Sequence, residues 1–156
     1  HLADPVAALR ELARVTRPGG LVALREVDYG GVVWHPALPQ LDDWMRVYRG
    51  VHTANGGEPD AGRRLVDWAL AAGLEVERVT GSMWVYATEE ERAYWGSSWA
   101  ERATLSDFAA QAVDSGTATA ADLERIAAGW RTWAETPGAA FLMPHGELLA
   151  RVPGAR

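Results

Sequence analysis

The feature that most constrains this sequence is a helix that stops abruptly and is followed at once by an apolar strand. Asp4 is a helix N-cap residue and Pro5 suits the first helical position. Pro18-Gly19-Gly20 stops the helix, and the run from Leu21 to Val27 opens with four consecutive apolar residues. Such a run is typical of a strand that is covered on both faces, as in a parallel sheet. The opening segment therefore predicts an α/β fold.

Gly, Pro and Asn divide the rest of the chain into further helices and strands. A Gly-rich loop is expected over Asp28 to Pro36, and a long strand over Leu74 to Ala87. The expected helices are Leu38 to His52, a helix capped by Asp60, Glu89 to Thr104 behind a Thr88/Glu91 capping box, Asp107 to Asp114, and Ala120 to Glu135. The chain is expected to close with two extended segments, Ala140 to Met143 and Glu147 to Val152, around a kink at Pro144-His145-Gly146, with His145 in a β-bulge.

Length and charge narrow the class of protein. The chain has 156 residues, 48% hydrophobic and 23% charged, which predicts one soluble domain over residues 1–156 with a helical insertion at about 88–136. Its net charge is −6, so we expect no nucleic-acid partner. No apolar run approaches the roughly 20 residues of a membrane span. We therefore expect a cytoplasmic protein with a small-molecule partner and no membrane partner.

Two residue types are missing, and each excludes a class of chemistry. There is no Cys, which excludes disulfides, thiolate metal sites and cysteine nucleophiles. There is no Lys, which excludes Schiff-base chemistry and a P-loop; Arg as the sole basic residue type is typical of a GC-rich bacterial coding sequence. The four His have none of the spacings of zinc sites, so we expect no metal.

The opening stretch, HLADPVAALRELARVTRPGGLVAL, resembles the segment after the fourth strand of class I S-adenosylmethionine-dependent methyltransferases. It is most similar to the small-molecule group that includes the ubiquinone/menaquinone-biosynthesis enzymes. The matching residues are Asp4, Pro5, Leu9, Glu11, Leu12, Arg14, Val15, Pro18, Gly19 and Gly20. The resemblance implies the C-terminal half of a Rossmann-like methyltransferase fold: a mixed sheet with helices, a helical insertion before the last strand, and the last two strands antiparallel.

The resemblance covers only part of what such an enzyme needs. The Gly-rich loop after the family's first strand and the acidic residue that binds the cofactor's ribose have no counterpart in this sequence. Most of the S-adenosylmethionine site is therefore expected outside this chain. The function implied is methyl transfer to a small hydrophobic or aromatic molecule in the intact enzyme. The alternative is a non-catalytic binding or dimerisation module derived from a methyltransferase.

The resemblance also suggests site residues, because ligands of open α/β sheets lie at the carboxyl ends of strands. His1 would follow the family's fourth strand, where it could act as a base, orient substrate or touch the cofactor, or be an ordinary polar contact. Asp28 and Tyr29 follow the strand 21–27. Asp28 is a candidate catalytic carboxylate and Tyr29 a candidate substrate contact, although a carboxylate at a strand end can equally bind neighbouring backbone.

Aromatic residues supply the remaining candidates for substrate binding. Trp34 and His35 lie on the loop predicted after Asp28 and could form a lid. Trp95 and Trp99 lie one helical turn apart in the insertion, where this family builds its substrate cap, but the same spacing fits plain core packing.

The resemblance finally implies an association. In the family the fifth strand pairs with the fourth, so a chain that starts after the fourth leaves one edge of Leu21 to Val27 unpaired. We expect a homodimer, or association with the missing N-terminal half, through this edge or the adjoining helix face.

Overall fold

The computed structural model describes residues 1–154, which form six α-helices and four β-strands. In chain order these are α1 (Pro5–Val15), β1 (Leu21–Val27), β2 (Val33–His35), α2 (Pro39–Ala54), α3 (Leu65–Ala71), β3 (Glu75–Tyr86), α4 (Glu89–Leu105), α5 (Asp107–Asp114), α6 (Ala120–Glu135) and β4 (Ala140–Arg151). Two short 3-10 turns lie at Tyr29–Gly31 and Ala61–Arg64. The chain is therefore a mixed α/β protein. Among the helices of the described part, none combines the length and the apolar character needed to cross a membrane.

The predicted helix starts are confirmed at the level of single hydrogen bonds. The Asp4 carboxylate accepts a hydrogen bond from the backbone N–H of Ala7 at 2.8 Å and caps α1. Thr88 and Glu91 form the predicted capping box of α4, in which each side chain accepts from the backbone of the other. These local patterns were readable because each depends only on residues three positions apart.

The predicted loop from Asp28 to Pro36 is wrong, because it contains β2. Val33, Trp34 and His35 pair antiparallel with residues 142, 141 and 140 of β4. Within this loop the turn is confined to Tyr29–Gly31. A three-residue strand whose partner lies more than 100 residues away has no local sequence signal, and the nearby glycines obscured it.

The predicted kink near the C-terminus is also wrong. β4 runs unbroken for 12 residues, and seven of them pair in continuous register with β1, from Leu21↔Arg151 to Val27↔His145. His145 therefore lies opposite Val27 and not in a β-bulge. Pro144 is accommodated because it has no N–H to pair, while its carbonyl oxygen accepts the backbone N–H of Asp28 at 3.0 Å.

The last strand of the chain is the organising strand of the sheet. β4 pairs antiparallel with β1 and with β2, and it also pairs with β3. Within residues 1–154, β1 has no strand partner other than β4, so it forms an edge of the sheet. The unpaired edge of Leu21–Val27 is thus present in the described chain.

The residues group into two compact units, and the first contains residues 1–32, 56–84 and 143 onward. Its core packs one face of the sheet against α1 and α3. The buried side chains of this core are Leu9, Val22, Leu65, Ala69, Leu74, Leu148 and Ala150. The prediction that β1 is covered on both faces is wrong in this chain: Leu21 is 50% exposed, because α1 and α3 cover only the face that carries Val22.

The second unit contains residues 33–55 and 85–142 and is mostly helical. Its largest fully buried side chains are Trp44, Trp130, Trp133, Phe141, Leu41, Ile126 and Val47. α4 and α6 approach closely at Gly96, where an added Cβ would lie 2.6 Å from Cβ of Ala134 and 2.8 Å from the carbonyl oxygen of Trp130. The predicted helices over 89–135 are confirmed, with ends that differ by one residue at most.

Candidate functional site

The carboxyl end of β1 carries a buried carboxylate that is held by a single arginine. Asp28 is buried, and its two oxygens accept hydrogen bonds from the Arg63 guanidinium, Nε to Oδ2 at 2.7 Å and Nη2 to Oδ1 at 2.5 Å. The backbone N–H of Arg63 also donates to Oδ2 at 3.1 Å. The Asp28 carboxylate raises the pKa of Arg63 through this hydrogen bond and its charge. Asp28 and Arg63 therefore form a bidentate ion pair, which connects the end of β1 to the turn at 61–64.

A close backbone contact supports this ion pair. A Cβ added to Gly62 would lie 2.9 Å from the carbonyl oxygen of Glu26 and 3.0 Å from both Cβ of Asp28 and the backbone nitrogen of Gly146. Only glycine fits at this distance, so the turn before α3 can lie directly on the end of β1 and on the middle of β4. The neighbouring Arg63 is thereby brought within reach of Asp28.

The loop after Asp28 is fixed by the same turn region. The backbone N–H of Tyr29 donates to the carbonyl oxygen of Pro59 at 3.0 Å, and that of Gly30 donates to Oδ1 of Asp60 at 2.7 Å. The prediction that the Asp60 side chain caps the following helix is wrong. Its Oδ1 accepts the hydrogen bond from Gly30, and the side chain makes no capping hydrogen bond. Tyr29 is half-buried beside this loop. The loop is therefore an ordered rim at the strand end, suited to placing Tyr29 against a ligand.

His1 lies in the same unit and lines a small cavity of about 50 Å³. Two carboxylates, Glu26 and Glu58, and the indole of Trp68 also line it. Pockets for small molecules and cofactors usually measure about 300–1,000 Å³. The residues around His1 can thus form one wall of a larger site, but they do not enclose a ligand of cofactor size.

A polar cluster that was not predicted from the sequence lies on the sheet face opposite α1 and α3. The imidazole of His145 is buried against the indole of Trp84, with 4.4 Å between ring centres, and its Nδ1 lies 3.1 Å from the carbonyl oxygen of Met143. Burial lowers the pKa of His145, and the nearby positive charge of Arg25 lowers it further.

Glu147 belongs to the same cluster. Its carboxylate accepts hydrogen bonds from the hydroxyls of Ser82 at 2.6 Å and Thr80 at 2.9 Å, which lower the pKa of the carboxyl group. The Arg25 guanidinium lies 3.7 Å from Glu147 and 4.9 Å from the ring centre of Trp84. Alternating polar residues at 80 and 82 and at 145 and 147 were the available signal. It was overlooked because a kink was expected there.

The aromatic candidates lie in the second unit. Trp34 stacks on Phe141 at 6.2 Å, Trp95 lies 6.0 Å from Phe141, and Trp99 lies 4.7 Å from Trp44, measured between ring centres. The structure therefore brings Trp34, Trp95 and Trp99 into one aromatic cluster. Trp99 is buried and the other two are half-buried, as in a core with one accessible side.

The prediction that Trp34 and His35 lie on a loop is wrong. Both belong to β2, where the carbonyl oxygen of His35 accepts the indole N–H of Trp133 at 3.1 Å. The His35 side chain is exposed. The exposed side chain of His35 and the half-buried indole of Trp34 are both accessible to a ligand.

Four indole groups in this cluster have unused hydrogen-bond donors. Trp44, Trp95, Trp99 and Trp130 have buried Nε1 atoms, and none donates to an acceptor within residues 1–154. Buried polar groups without partners are uncommon, and they cost about 1–3 kcal/mol each. The aromatic cluster is thus held by ring packing, and the indole N–H groups of these four residues contribute no hydrogen bond to it.

Across residues 1–154, no three His, Asp or Glu side chains come together as a group that could hold a metal ion.

The predicted site residues fall into two sets. Asp28, Tyr29 and His1 belong to the first unit, and Trp34, His35, Trp95 and Trp99 belong to the second.

Comparison with known proteins finds a relative along nearly the whole chain. The chain is similar to a protein of Schizosaccharomyces pombe that is named an uncharacterized methyltransferase, with 33% identity over 152 residues. The similarity covers 96% of this chain and 53% of that protein, so the chain spans about half the length of the relative that it matches. No family model matches the chain.

Proposed function

We propose that this chain is the C-terminal half of a class I S-adenosylmethionine-dependent methyltransferase that acts on a small hydrophobic or aromatic molecule. The observation that carries the proposal is the 33% identity to a methyltransferase-named protein along nearly the whole chain. The α1–Gly19-Gly20–β1 unit and the antiparallel pairing of β1 with β4 support it, since both are expected of this half of a Rossmann-like methyltransferase.

The residues around His1 do not by themselves enclose a site large enough for S-adenosylmethionine. The cavity beside His1 measures about 50 Å³, well below the size of a cofactor pocket. The chain also lacks the glycine loop and the ribose carboxylate of the family. In this proposal the chain contributes substrate contacts and strand-end geometry, and the cofactor is bound mainly by residues outside it.

The strand end of β1 is proposed as the rim of the substrate site. Methyl transfer depends largely on holding the nucleophile in line with the methyl group, so rigid contacts matter more than covalent help. Asp28 has both oxygens engaged by Arg63, which favours a positioning role for this carboxylate over that of a proton acceptor. Tyr29, on the ordered loop, is the proposed substrate contact, and His1 is proposed to face substrate or cofactor.

The aromatic cluster is proposed as the apolar wall of the substrate site. Trp34 and Trp95 are half-buried members with accessible ring surface, whereas Trp99 is buried and supports them. A flat or hydrophobic substrate matches this chemistry better than a charged one.

The test is transfer of a labelled methyl group. The polypeptide encoded by the complete gene is incubated with methyl-labelled S-adenosylmethionine and a panel of small phenols, quinols and other aromatic acceptors. Label in an organic extract, reduced by Trp34→Ala but not by Glu11→Gln on the exposed face of α1, supports the proposal. Label that remains in the cofactor for every acceptor, in a preparation that binds S-adenosylmethionine, would contradict the proposed substrate class.

A further inference from the structure

The outer edge of β3 is unprotected in the described chain. No residue of this 12-residue strand is buried, and within residues 1–154 β3 pairs only with β4. Natural edge strands are usually short or are guarded by charged side chains, Pro or a bulge, because free backbone N–H and C=O groups invite another strand. β3 is long, it has no Pro, and its charged residues are confined to its first four positions, so residues 79–86 carry no charge. Its edge therefore offers a continuous row of backbone hydrogen-bonding groups.

Apolar side chains accompany this edge in the first unit. Val79 is 56% exposed and Met83 is 48% exposed, and the two lie on one face of the strand on either side of Gly81. The other face carries Arg78, Thr80, Ser82 and the exposed indole of Trp84. Exposed apolar residues beside an unpaired backbone are typical of an interaction surface.

We propose that β3 pairs antiparallel with β3 of a second copy of this chain, around a two-fold axis at Gly81. In this register Val79 lies opposite Met83 of the second copy, and the symmetry repeats the same pair on the other side of the axis. Thr80 lies opposite Ser82, and Arg78 lies opposite Trp84, a pairing that allows a cation–π contact. The strand is thus complementary to itself on both faces.

Charge disfavours registers whose two-fold axis lies in the first part of β3. A two-fold axis at Glu77 or at Arg78 would place like charges directly opposite each other, which destabilises an antiparallel pair. An axis at Gly81 brings together two residues without side chains. In the segment from Arg78 to Trp84, Arg78 is the one charged residue, and in this register it lies opposite the aromatic ring of Trp84 of the second copy.

Cysteine cross-linking tests the register. Residues 1–156 contain no Cys, so a pair introduced as Val79→Cys with Met83→Cys reports only the proposed contact, any Cys elsewhere in the full polypeptide being replaced by Ser. Four residues along one strand span about 13 Å, too far for a disulfide within one chain. We expect the double variant to form a disulfide-linked dimer at least ~10-fold faster than either single variant. Equal rates in the three variants would overturn the proposal.

Sedimentation of the full polypeptide without introduced cysteines tests the association itself. We expect a dimer. Its dissociation constant should rise at least ~10-fold in Val79→Lys and stay unchanged in Val113→Lys. Val113 is a matched control because it is 45% exposed and lies on α5. A monomer at concentrations up to ~100 μM would overturn the proposal, including the case in which another segment of the polypeptide covers β3. Neither experiment depends on the proposed methyl transfer.

Discussion

The ion pair between Asp28 and Arg63 shows how a single carboxylate can fix a strand end. Asp28 is buried, while the Arg63 side chain is 56% exposed, so the guanidinium remains partly hydrated. The sequence indicated Asp28 because it follows an apolar strand, and it left open whether the carboxylate binds substrate or backbone. Arg63 could not be identified in the same way, because it lies 35 residues away and is joined to Asp28 only by the fold.

Replacing Asp28 by Asn should destabilise the protein. The change keeps the side-chain size and removes the charge that Arg63 pairs with, and the exposure of Arg63 limits the expected loss to about 1–1.5 kcal/mol in urea unfolding. Glu11→Gln is the control, since it removes an exposed pair with Arg14 and should leave the free energy of unfolding nearly unchanged. Unchanged stability with at least ~10-fold slower methyl transfer would instead give Asp28 a direct role with substrate.

The burial of His145 predicts a pH-dependent stability. Its pKa is lowered in the folded protein, so the folded state favours the neutral ring and the unfolded state takes up a proton first as pH falls. The free energy of unfolding should therefore decrease as pH falls from the ordinary histidine pKa near 6.5 toward the lower folded value. Glu147, whose pKa is lowered from 4.5, contributes its own loss of stability only at more acidic pH.

The measurement compares unfolding at about pH 7.5 and 5.5 in three proteins. His145→Gln should flatten the dependence, whereas His35→Gln, at an exposed position of β2, should leave it as in the parent chain. A slope that survives in His145→Gln would assign the pH dependence to another group.

At the scale of elements, the sequence predicted the structures that depend on neighbouring residues. It did not predict strand pairings between distant segments. The helices α1, α2, α4, α5 and α6 were predicted because caps, stops and apolar spacing lie within the elements themselves. β2 and the unbroken β4 were missed because both depend on pairing across the sheet. Glycine and proline at 30–31 and 144–146 were interpreted as breaks, although the sheet accommodates them.

The packing of α4 on α6 gives a prediction at this scale. Gly96→Ala should destabilise the second unit by about 1–3 kcal/mol, because the new methyl group would overlap Ala134 and the backbone of Trp130. In a helix without such a contact the same change stabilises by about 0.5–1 kcal/mol, so the sign is diagnostic. Thermal unfolding measures it, with Ser97→Ala on the exposed side of α4 as control. A rise in melting temperature for Gly96→Ala would show that the helices do not touch there.

At the scale of the whole molecule, the opening stretch indicated the family resemblance, and the similarity to a methyltransferase-named protein supports it. The candidate site was predicted less completely. Asp28 and Tyr29 were placed correctly at a strand end, but the groups that hold residues 28–30 are the carbonyl oxygen of Pro59 and the side chains of Asp60 and Arg63, which local patterns did not connect to β1. The polar cluster around His145 was hidden by the same long-range pairing.

The central claim is that this chain is one half of an S-adenosylmethionine-dependent enzyme. It is tested most directly by titrating S-adenosylmethionine, in a calorimeter, into the 156-residue chain alone and into the polypeptide encoded by the complete gene. We expect micromolar binding by the complete polypeptide and no measurable binding by the chain alone. Micromolar binding by the chain alone, or no binding by the complete polypeptide, would contradict it.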